Sequence, residues 1–327
     1  MIETQAKTGM GEGVLPPNEP VLKKKKKGFW TIRTAFVLFA LAPALIHLLI
    51  FWLGVQIESL KMAFTDYYTD EFTFDNFSLI IGNLFDTKKG NYIGVSLKNT
   101  LVFFTMGMCM VPFSLFTVYL IYKKMFGSKL IRILLYLPGA ISGIMMVMLF
   151  KNLVSVEGPI VKLLQTLNVE GFRDGSAIDF VASDGYALKI IIIYDIWMSI
   201  GGNLVIWLGA MGRIPPDVIE YGKLDGVGPV REFISIILPL IWPTVCTILT
   251  LNIIGIFGAT GSVMAFTEGA HETQTINYWL YSVVYDPTKV NQQNQAAAAG
   301  LFFTVLTIPI LVLGRWFMNK FGEEVQY

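Results

Sequence analysis

Six long apolar stretches dominate this chain of 327 residues and restrict it to a membrane fold. An α-helix needs about 20 predominantly apolar residues to cross about 30 Å of hydrocarbon, and each stretch reaches that length. Backbone polar groups must be paired inside lipid, and no alternating pattern of barrel strands appears, so we predict helices. The predicted spans are Thr34–Val55, Leu97–Tyr122, Leu130–Leu153, Tyr186–Met211, Ile236–Gly258 and Ala297–Asn319. The sequence therefore predicts an all-α membrane protein with six transmembrane helices.

Composition excludes several classes of function. The balance of 25 Lys+Arg against 24 Asp+Glu leaves a net charge of +1, which provides no field for holding nucleic acid. No Walker A motif occurs, so any use of ATP would take place on a partner. His47 and His271 are too few and too far apart for a metal site, and Cys109 and Cys246 lie in apolar stretches. We therefore expect no enzyme activity, and no cofactor or metal held by this chain.

The distribution of basic residues predicts the orientation in the membrane. With the N-terminus in the cytoplasm, 16 of the 25 Lys and Arg residues fall on the cytoplasmic side. They are Lys7, Lys23, Lys24, Lys25, Lys26, Lys27, Arg33, Lys123, Lys124, Lys129, Arg132, Arg213, Lys223, Arg231, Arg315 and Lys320. Both termini are therefore predicted to be cytoplasmic. Residues 1–28 are predicted to form a disordered basic tail, which contacts anionic lipid or docks a protein, and residues 29–325 the six-helix transmembrane domain.

The segment 213–239, between the fourth and fifth spans, is predicted to contain a short cytoplasmic helix. Pro216 suits a first helical turn, Asp217 and Glu220 suit a helix N-terminus, and Gly226 suits the left-handed residue that ends a helix. After it, one apolar stripe is predicted to lie along the membrane interface; it consists of Val230, Phe233 and Ile237. The alternative is an ordinary amphipathic loop.

This segment resembles the cytoplasmic loop of ABC importer permeases. The family pattern is Glu-Ala-Ala, three residues, Gly, about nine residues and then Ile-x-Leu-Pro. Here Glu220-Tyr221-Gly222-Lys223-Leu224-Asp225-Gly226 is followed by Phe233, Ile236, Leu238 and Pro239. Tyr221 and Gly222 replace both alanines. Further similarities, to the maltose-type first permease subunit of the carbohydrate-uptake branch, are Ser96-Leu97-Lys98-Asn99-Thr100, Trp207-Leu208-Gly209, Arg213-Ile214-Pro215 and Gln295-Ala296-Ala297-Ala298-Ala299-Gly300.

The resemblance implies the type I ABC importer permease fold in a bacterial or archaeal cell membrane. It implies the permease subunit of an ATP-driven importer for a sugar or oligosaccharide. The implied partners are a second permease subunit, two copies of a cytoplasmic ATPase that binds ATP and Mg, and an extracytoplasmic solute-binding protein. The short helix would be the coupling helix, and the residues expected to couple it to the ATPase are Pro216, Glu220, Tyr221, Lys223, Asp225 and Gly226.

Asp195, near the middle of the fourth span, is the principal candidate for substrate contact. A carboxylate at that depth costs about 2.5–3.5 kcal/mol on insertion scales, so it should face a wet cavity or a partner. Asp195, Ser199 and Gly202 share one helical face, and a carboxylate accepts hydrogen bonds from sugar hydroxyls. In the sugar permeases of the family, a polar side chain at this position lines the cavity. The other candidates are Asn203, Asn252, Phe257, Thr260 and Ser142.

Three alternatives remain open for these residues. Asp195 could pair with Asn203 or Asn252 and hold helices together, and Phe257 could be a packing residue. From a different class, Asp195 could carry a coupling proton or cation in a secondary transporter, although no inverted repeat is evident in the sequence.

Overall fold

The computed structural model describes residues 32–85, 92–169, 172, 178–258 and 261–321. Within these ranges the regular structure is helical, apart from one isolated antiparallel bridge between Thr65 and Phe72. The helical stretches that are long and apolar enough to span a membrane are Thr34–Ala63, Tyr92–Tyr122, Gly143–Thr166, Ala187–Met211 and Pro287–Lys320, with a sixth if the bent pair Pro229–Leu240 and Trp242–Ile254 counts as one span. The predicted all-α membrane fold is confirmed. The predicted tail, residues 1–28, lies outside the described residues.

The α-helices of the described residues are numbered here in chain order. The first eight are α1 (Ile32–His47), α2 (Val55–Ala63), α3 (Asp75–Asn83), α4 (Tyr92–Tyr122), α5 (Ser128–Ala140), α6 (Gly143–Val154), α7 (Pro159–Thr166) and α8 (Ala187–Gly202). The next eight are α9 (Leu204–Met211), α10 (Pro216–Leu224), α11 (Pro229–Glu232), α12 (Leu238–Leu240), α13 (Trp242–Ile254), α14 (Gly261–Thr267), α15 (Ile276–Tyr285) and α16 (Gln293–Phe321). Two π-helical segments, Leu48–Gly54 and Phe233–Ile237, and a 3-10 segment, Pro287–Gln292, join neighbouring helices.

The chain divides into two units, residues 1–56 and 57–327. In the first unit, α1 runs directly into the π-helical segment, and its large apolar side chains are exposed on all sides; Phe39, for example, is 81% exposed. A helix that is apolar all round belongs in lipid. This agrees with the predicted first span, although the helical stretch continues past Val55 to Ala63.

The second unit is organised around α4, which has 31 residues and packs against α8, α9, α13 and α15. Its C-terminal half contributes Val118 and Tyr119 to a core that includes Trp207 of α9. The Trp207 indole is fully buried and donates a hydrogen bond from Nε1 to Ser114 Oγ of α4 at 3.3 Å. This tryptophan therefore packs between helices.

The predicted third span, Leu130–Leu153, falls on two helices rather than one. The helix α5 ends at Ala140, Ile141 is extended with φ −100° and ψ 150°, and α6 begins at Gly143. Pro138 lacks a backbone N–H, and Gly139 beside it favours the helix poorly, so the last turn of α5 is weak. Apolar residues lie on both sides of this break, so the hydropathy of the sequence alone does not indicate it.

The predicted fifth span, Ile236–Gly258, also falls on more than one helix. The chain bends by 76° between Pro229–Leu240 and Trp242–Ile254, and the residue at the bend is Ile241. Pro239 and Pro243 lie on either side of it. Each proline removes one N–H from the helical ladder, which explains why the helix breaks between them.

Two buried polar residues of α4 hold the segment between α14 and α15 in place. Asn99 of α4 donates from Nδ2 to the carbonyl oxygens of Glu272 and Gln274, at 2.6 and 2.9 Å. Thr100 Oγ1 accepts a hydrogen bond from the Ile276 N–H at 3.0 Å. The Ser96–Thr100 motif therefore anchors the segment between α14 and α15, and this is a structural reason for its residue types.

We predict that Asn99→Leu will loosen this segment, because two carbonyls lose a buried donor at a cost of roughly 1–3 kcal/mol each. Hydrogen exchange measured by mass spectrometry on the protein in lipid nanodiscs should show faster exchange in residues 268–275. The matched control is Asn291→Leu, which alters an exposed asparagine before α16. Equal exchange in the two variants would contradict the anchoring role of Asn99.

Candidate functional site

The helix α10 matches the short cytoplasmic helix predicted from the sequence. Pro216 occupies its first turn, where a missing N–H costs nothing, and Asp217 lies in the same turn. Lys223 lies in the last turn, near the negative end of the helix. The helix has nine residues and spans Pro216–Leu224. The segment therefore contains a helix, and its role as a coupling helix stays a prediction.

A Schellman motif closes the C-terminus of α10. Gly226 adopts φ +74°, its N–H donates to the Lys223 carbonyl at 3.0 Å, and the Val227 N–H donates to the Gly222 carbonyl at 3.0 Å. This pair of bonds satisfies carbonyls that a helix end otherwise leaves unpaired. A glycine suits this position because a left-handed residue with a Cβ is strained. The helix therefore ends at a defined residue rather than fraying.

One face of α10 is buried and the other is open. Ile219 and Gly222 face the protein. The residues predicted to couple the helix to a partner are all exposed; they are Pro216, Glu220, Tyr221, Lys223, Asp225 and Gly226. Leu224, which sequence reasoning missed, is 82% exposed, and Tyr221 is 68% exposed. An apolar pair surrounded by charged side chains on an exposed helix is suited to a protein partner.

Gly222, which stands where the family pattern has alanine, packs tightly against the segment that follows α10. A Cβ placed on Gly222 would lie 2.6 Å from Cδ1 of Ile236, inside van der Waals contact. Ile236 lies in the π-helical segment that leads to α12. The departure from the pattern therefore has a packing reason, because the glycine leaves room for a longer side chain on the facing segment.

The segment after α10 is tied to α4 by contacts that sequence reasoning missed. Glu232 of α11 is buried and pairs with Lys123, whose Nζ lies 2.8 and 2.9 Å from the two carboxylate oxygens. The Tyr119 hydroxyl donates to the Pro229 carbonyl at 2.9 Å. Lys123 and Glu232 are 109 positions apart, and no local pattern in the sequence indicates their pairing.

The prediction that an apolar stripe after α10 lies along the membrane interface is wrong. Ile237 is fully buried, and Phe233 packs on Tyr119 with ring centroids 5.0 Å apart, while Val230 alone of the three is exposed. The stripe faces the protein because the buried Glu232 pair holds the same segment against α4.

Asp195 of α8 has a hydrogen-bond partner that the sequence did not indicate. Ser262 Oγ of α14 donates to Asp195 Oδ2 at 2.8 Å, and the carboxylate is half-buried. The predicted alternative partners were Asn203 and Asn252, but the Asn252 amide donates to the Ile248 carbonyl of its own helix. Asp195 thus joins α8 to α14. The role in substrate binding stays a prediction.

The other predicted path residues do not all gather around Asp195. Ser199 Oγ donates to the Ile196 carbonyl, and Asn203 lies half-buried at the junction of α8 and α9. Phe257 stacks on Phe303 of α16 with centroids 4.6 Å apart, which is a packing contact. Gly202 and Ser142 are exposed, Ser142 at the break between α5 and α6, and Thr260 lies outside the described residues.

The short helix α14 is held near both of its ends by charged side chains of other helices. Besides the Asp195 contact near its start, Lys151 of α6 donates from Nζ to the Phe266 carbonyl at 3.0 Å. Between these points an aromatic cluster packs α6, α8 and α14; it consists of Phe150, Tyr194, Trp197 and Phe266. The position of α14 is therefore set by side chains of α6 and α8.

Comparison with known proteins identifies what this arrangement is similar to. The family model described as the binding-protein-dependent transport system inner membrane component matches residues 22–326. The sn-glycerol-3-phosphate transport system permease protein UgpA of Yersinia pestis bv. Antiqua (strain Antiqua) is 25% identical over 73% of this chain and 80% of its own length. The polygalacturonan/rhamnogalacturonan transport system permease protein YteP of Bacillus subtilis (strain 168) is 26% identical over 71% of each chain.

A solved structure shows the same fold. It is that of a bacterial ABC transporter involved in the import of the acidic polysaccharide alginate, and it superposes with a TM-score of 0.75. The match covers 89% of this chain and 98% of the compared chain at 22% identity. The fold predicted from the sequence, that of a type I importer permease, is confirmed.

We predict that Gly222→Ala will destabilise the protein modestly, because the Ile236 side chain must turn away from its preferred rotamer at a cost of about 0.5–1.5 kcal/mol. Ile236→Val removes the obstructing Cδ1 atom, and on its own it should lower the free energy of unfolding by about 0.5–1.5 kcal/mol. The double variant should lose less stability than the two single variants together, measured as thermal unfolding of the purified protein. Gly228→Ala is the control, since a Cβ there meets no atom within 4 Å. Strictly additive effects would disprove the contact.

Proposed function

This chain belongs to the family of binding-protein-dependent transport system inner membrane components, and from that premise we propose that it is the permease subunit of an ATP-driven importer for a sugar or oligosaccharide. The family consists of transport components rather than enzymes, and the chain is accordingly a multi-pass membrane protein. Because the YteP relative carries a transport function for polygalacturonan and rhamnogalacturonan, a carbohydrate is the substrate class we propose here.

The observation that carries the proposal is the open face of α10. The helix is closed at its end by the Schellman motif and packed on one side through Ile219 and Gly222, so it is a rigid element. Its other side presents Tyr221 and Leu224 to solvent. A rigid helix with an open apolar contact suits docking into a cytoplasmic ATPase subunit, and closure of an ATPase pair would move it. On this proposal α10 is the coupling helix and lies on the cytoplasmic side, with both chain termini.

The family description supports one further partner, a binding protein. A binding-protein-dependent system includes an extracytoplasmic solute-binding protein, and we propose that the permease pairs with a second permease subunit and two ATPase copies. ATP and Mg would bind to the ATPase subunits. Nucleotide would shift the permease between inward-facing and outward-facing states only if the assembled complex binds it differently in the two states.

Asp195 supports a sugar path rather than a separate ion-coupled mechanism. Its carboxylate already accepts a hydrogen bond from the Ser262 hydroxyl, which is the chemistry that a sugar hydroxyl would offer in the same place. The secondary-transporter alternative, with Asp195 carrying a proton or cation, gives no role to the open face of α10. The substrate path is therefore proposed to run past Asp195, with Ser199, Asn203 and Asn252 as further polar candidates.

The proposal is tested by purifying the tagged chain with its associates in lipid nanodiscs and identifying them. We expect an ATPase and a second permease, and reconstituted proteoliposomes with ATP inside should accumulate a labelled galacturonan oligosaccharide when the binding protein is added. Uptake that continues without ATP and stops with a protonophore would overturn the proposal in favour of the secondary transporter.

Within that complex we predict that Gly226→Val will impair ATP-driven uptake and that Gly226→Asn will retain most of it. A left-handed residue with a Cβ costs roughly 1–2 kcal/mol, which corresponds to about a 5–30-fold change in an equilibrium. Asparagine tolerates this conformation far better. A Cβ on Gly226 meets no atom within 4 Å, so the difference reports backbone conformation alone. Equal uptake by the two variants would contradict a coupling role for the helix end.

We also predict that Asp195→Ala will raise the sugar concentration needed for half-maximal uptake, because the path loses a hydroxyl acceptor. Ser262→Ala removes the same hydrogen bond but leaves the carboxylate in place. It is therefore the matched control and should have a smaller effect on that concentration. If both variants lower the yield of assembled complex equally and neither changes the concentration dependence, Asp195 only holds α8 to α14.

A further inference from the structure

The strongest polar contact outside the proposed coupling surface joins α11 to the inner end of α4. Glu232 is buried, with a side chain only 4% exposed, and Lys123 Nζ contacts both of its carboxylate oxygens. Two charge-assisted hydrogen bonds from one ammonium fix both the distance and the direction of the contact. The pair therefore determines how α11 sits on α4.

Contacts of two other kinds surround this ion pair. The Tyr119 hydroxyl donates to the Pro229 carbonyl, and the Phe233 ring packs on both Tyr119 and Phe116, with centroid distances of 5.0 and 5.5 Å. Charge, a backbone acceptor and aromatic rings thus hold the same short segment. A buried ion pair is weak evidence for stability, since apolar residues of similar volume often serve as well, but it does specify one geometry.

The contacts form a continuous connection from α10 to the far end of the bundle. Gly222 of α10 packs on Ile236, four residues after Glu232 in the same segment. Glu232 is bound to Lys123, which directly follows α4. At the other end of α4, Asn99 and Thr100 hold the segment between α14 and α15. A helix of 31 residues is about 45 Å long at about 1.5 Å per residue.

We propose that Lys123 and Glu232 are positioning residues that make α10, α11 and the inner end of α4 move as one body. This inference rests on the proposed function, because it assigns the route by which displacement of the coupling helix reaches the membrane. The ion pair prevents the segment from sliding along α4 when α10 is pushed. The movement then passes into α4 instead of being absorbed at the junction.

The test is a distance measurement in the assembled complex, which requires no knowledge of the transported sugar. Spin labels are placed on Phe113→Cys of α4 and Val230→Cys of α11, both exposed positions, in a chain with Cys109→Ala and Cys246→Ala. With the ion pair intact, the distance should be the same in the nucleotide-free state and after trapping with MgATP and vanadate. In Glu232→Gln and Lys123→Met, trapping should shift or broaden the distance distribution.

ATP hydrolysis by the same complexes separates positioning from simple stabilisation. The positioning role predicts wild-type hydrolysis per assembled complex together with the altered distance, and the charge exchange Lys123→Glu with Glu232→Lys should restore the wild-type distance. Lys289→Met, which breaks an exposed ion pair with Asp286, is the control and should change neither quantity.

Two results would overturn the inference. One is an unchanged distance in both single variants after trapping, and the other is an altered distance that the charge exchange does not restore. Failure of the proposed function gives a different result, since no ATPase would then co-purify and trapping would have no effect in the unmutated chain.

Discussion

The pairing of backbone groups in a medium without water is the constraint on which this structure depends. A helix in lipid satisfies its own N–H and C=O groups, so an interrupted span is tolerated only where the freed groups find partners. At three interruptions, the residue before the next helix provides a carbonyl oxygen that accepts a hydrogen bond from that helix. The Ser142 carbonyl accepts from Met146, the Asn203 carbonyl from Trp207, and the Ile241 carbonyl from Val245, at 3.0, 3.0 and 3.1 Å. The chain therefore changes direction inside the bundle without leaving those acceptors unpaired.

Whether a feature of this fold could be predicted depends on how far apart in the sequence the residues that determine it lie. The helix α10 was predictable because Pro216 and Gly226 act locally, one by lacking an N–H and the other by adopting the left-handed conformation. The presence of five or six apolar spans was predictable because hydropathy sums over about 20 residues. The same summation hides the breaks at Ile141 and Ile241, since apolar residues continue through both.

Contacts between distant residues were beyond sequence reasoning for a different reason. Asp195 was expected to face a wet cavity or a partner, but the partner found, Ser262, is 67 positions away and is one of many small polar residues near the spans. The tight fit of Gly222 against Ile236 depends on the packing of two helical segments across a turn. A residue type shows that a contact is required, whereas the folded chain determines which residue supplies it.

The contacts also differ in how readily they would yield when force is applied to α10. Separating Glu232 from Lys123 leaves a buried charge uncompensated, at a cost of about 3–5 kcal/mol, whereas an aromatic pair contributes about 0.5–1.5 kcal/mol beyond its buried area. At Ile141 and Ile241 no helical hydrogen-bond ladder continues through the break, so rotation there disrupts fewer bonds than rotation within a helix. A permease that alternates between two states must concentrate its movement in the joints that yield most easily. On the proposed function, these energies favour a joint between α11 and α4 that holds and movement at the breaks within the third and fifth apolar stretches.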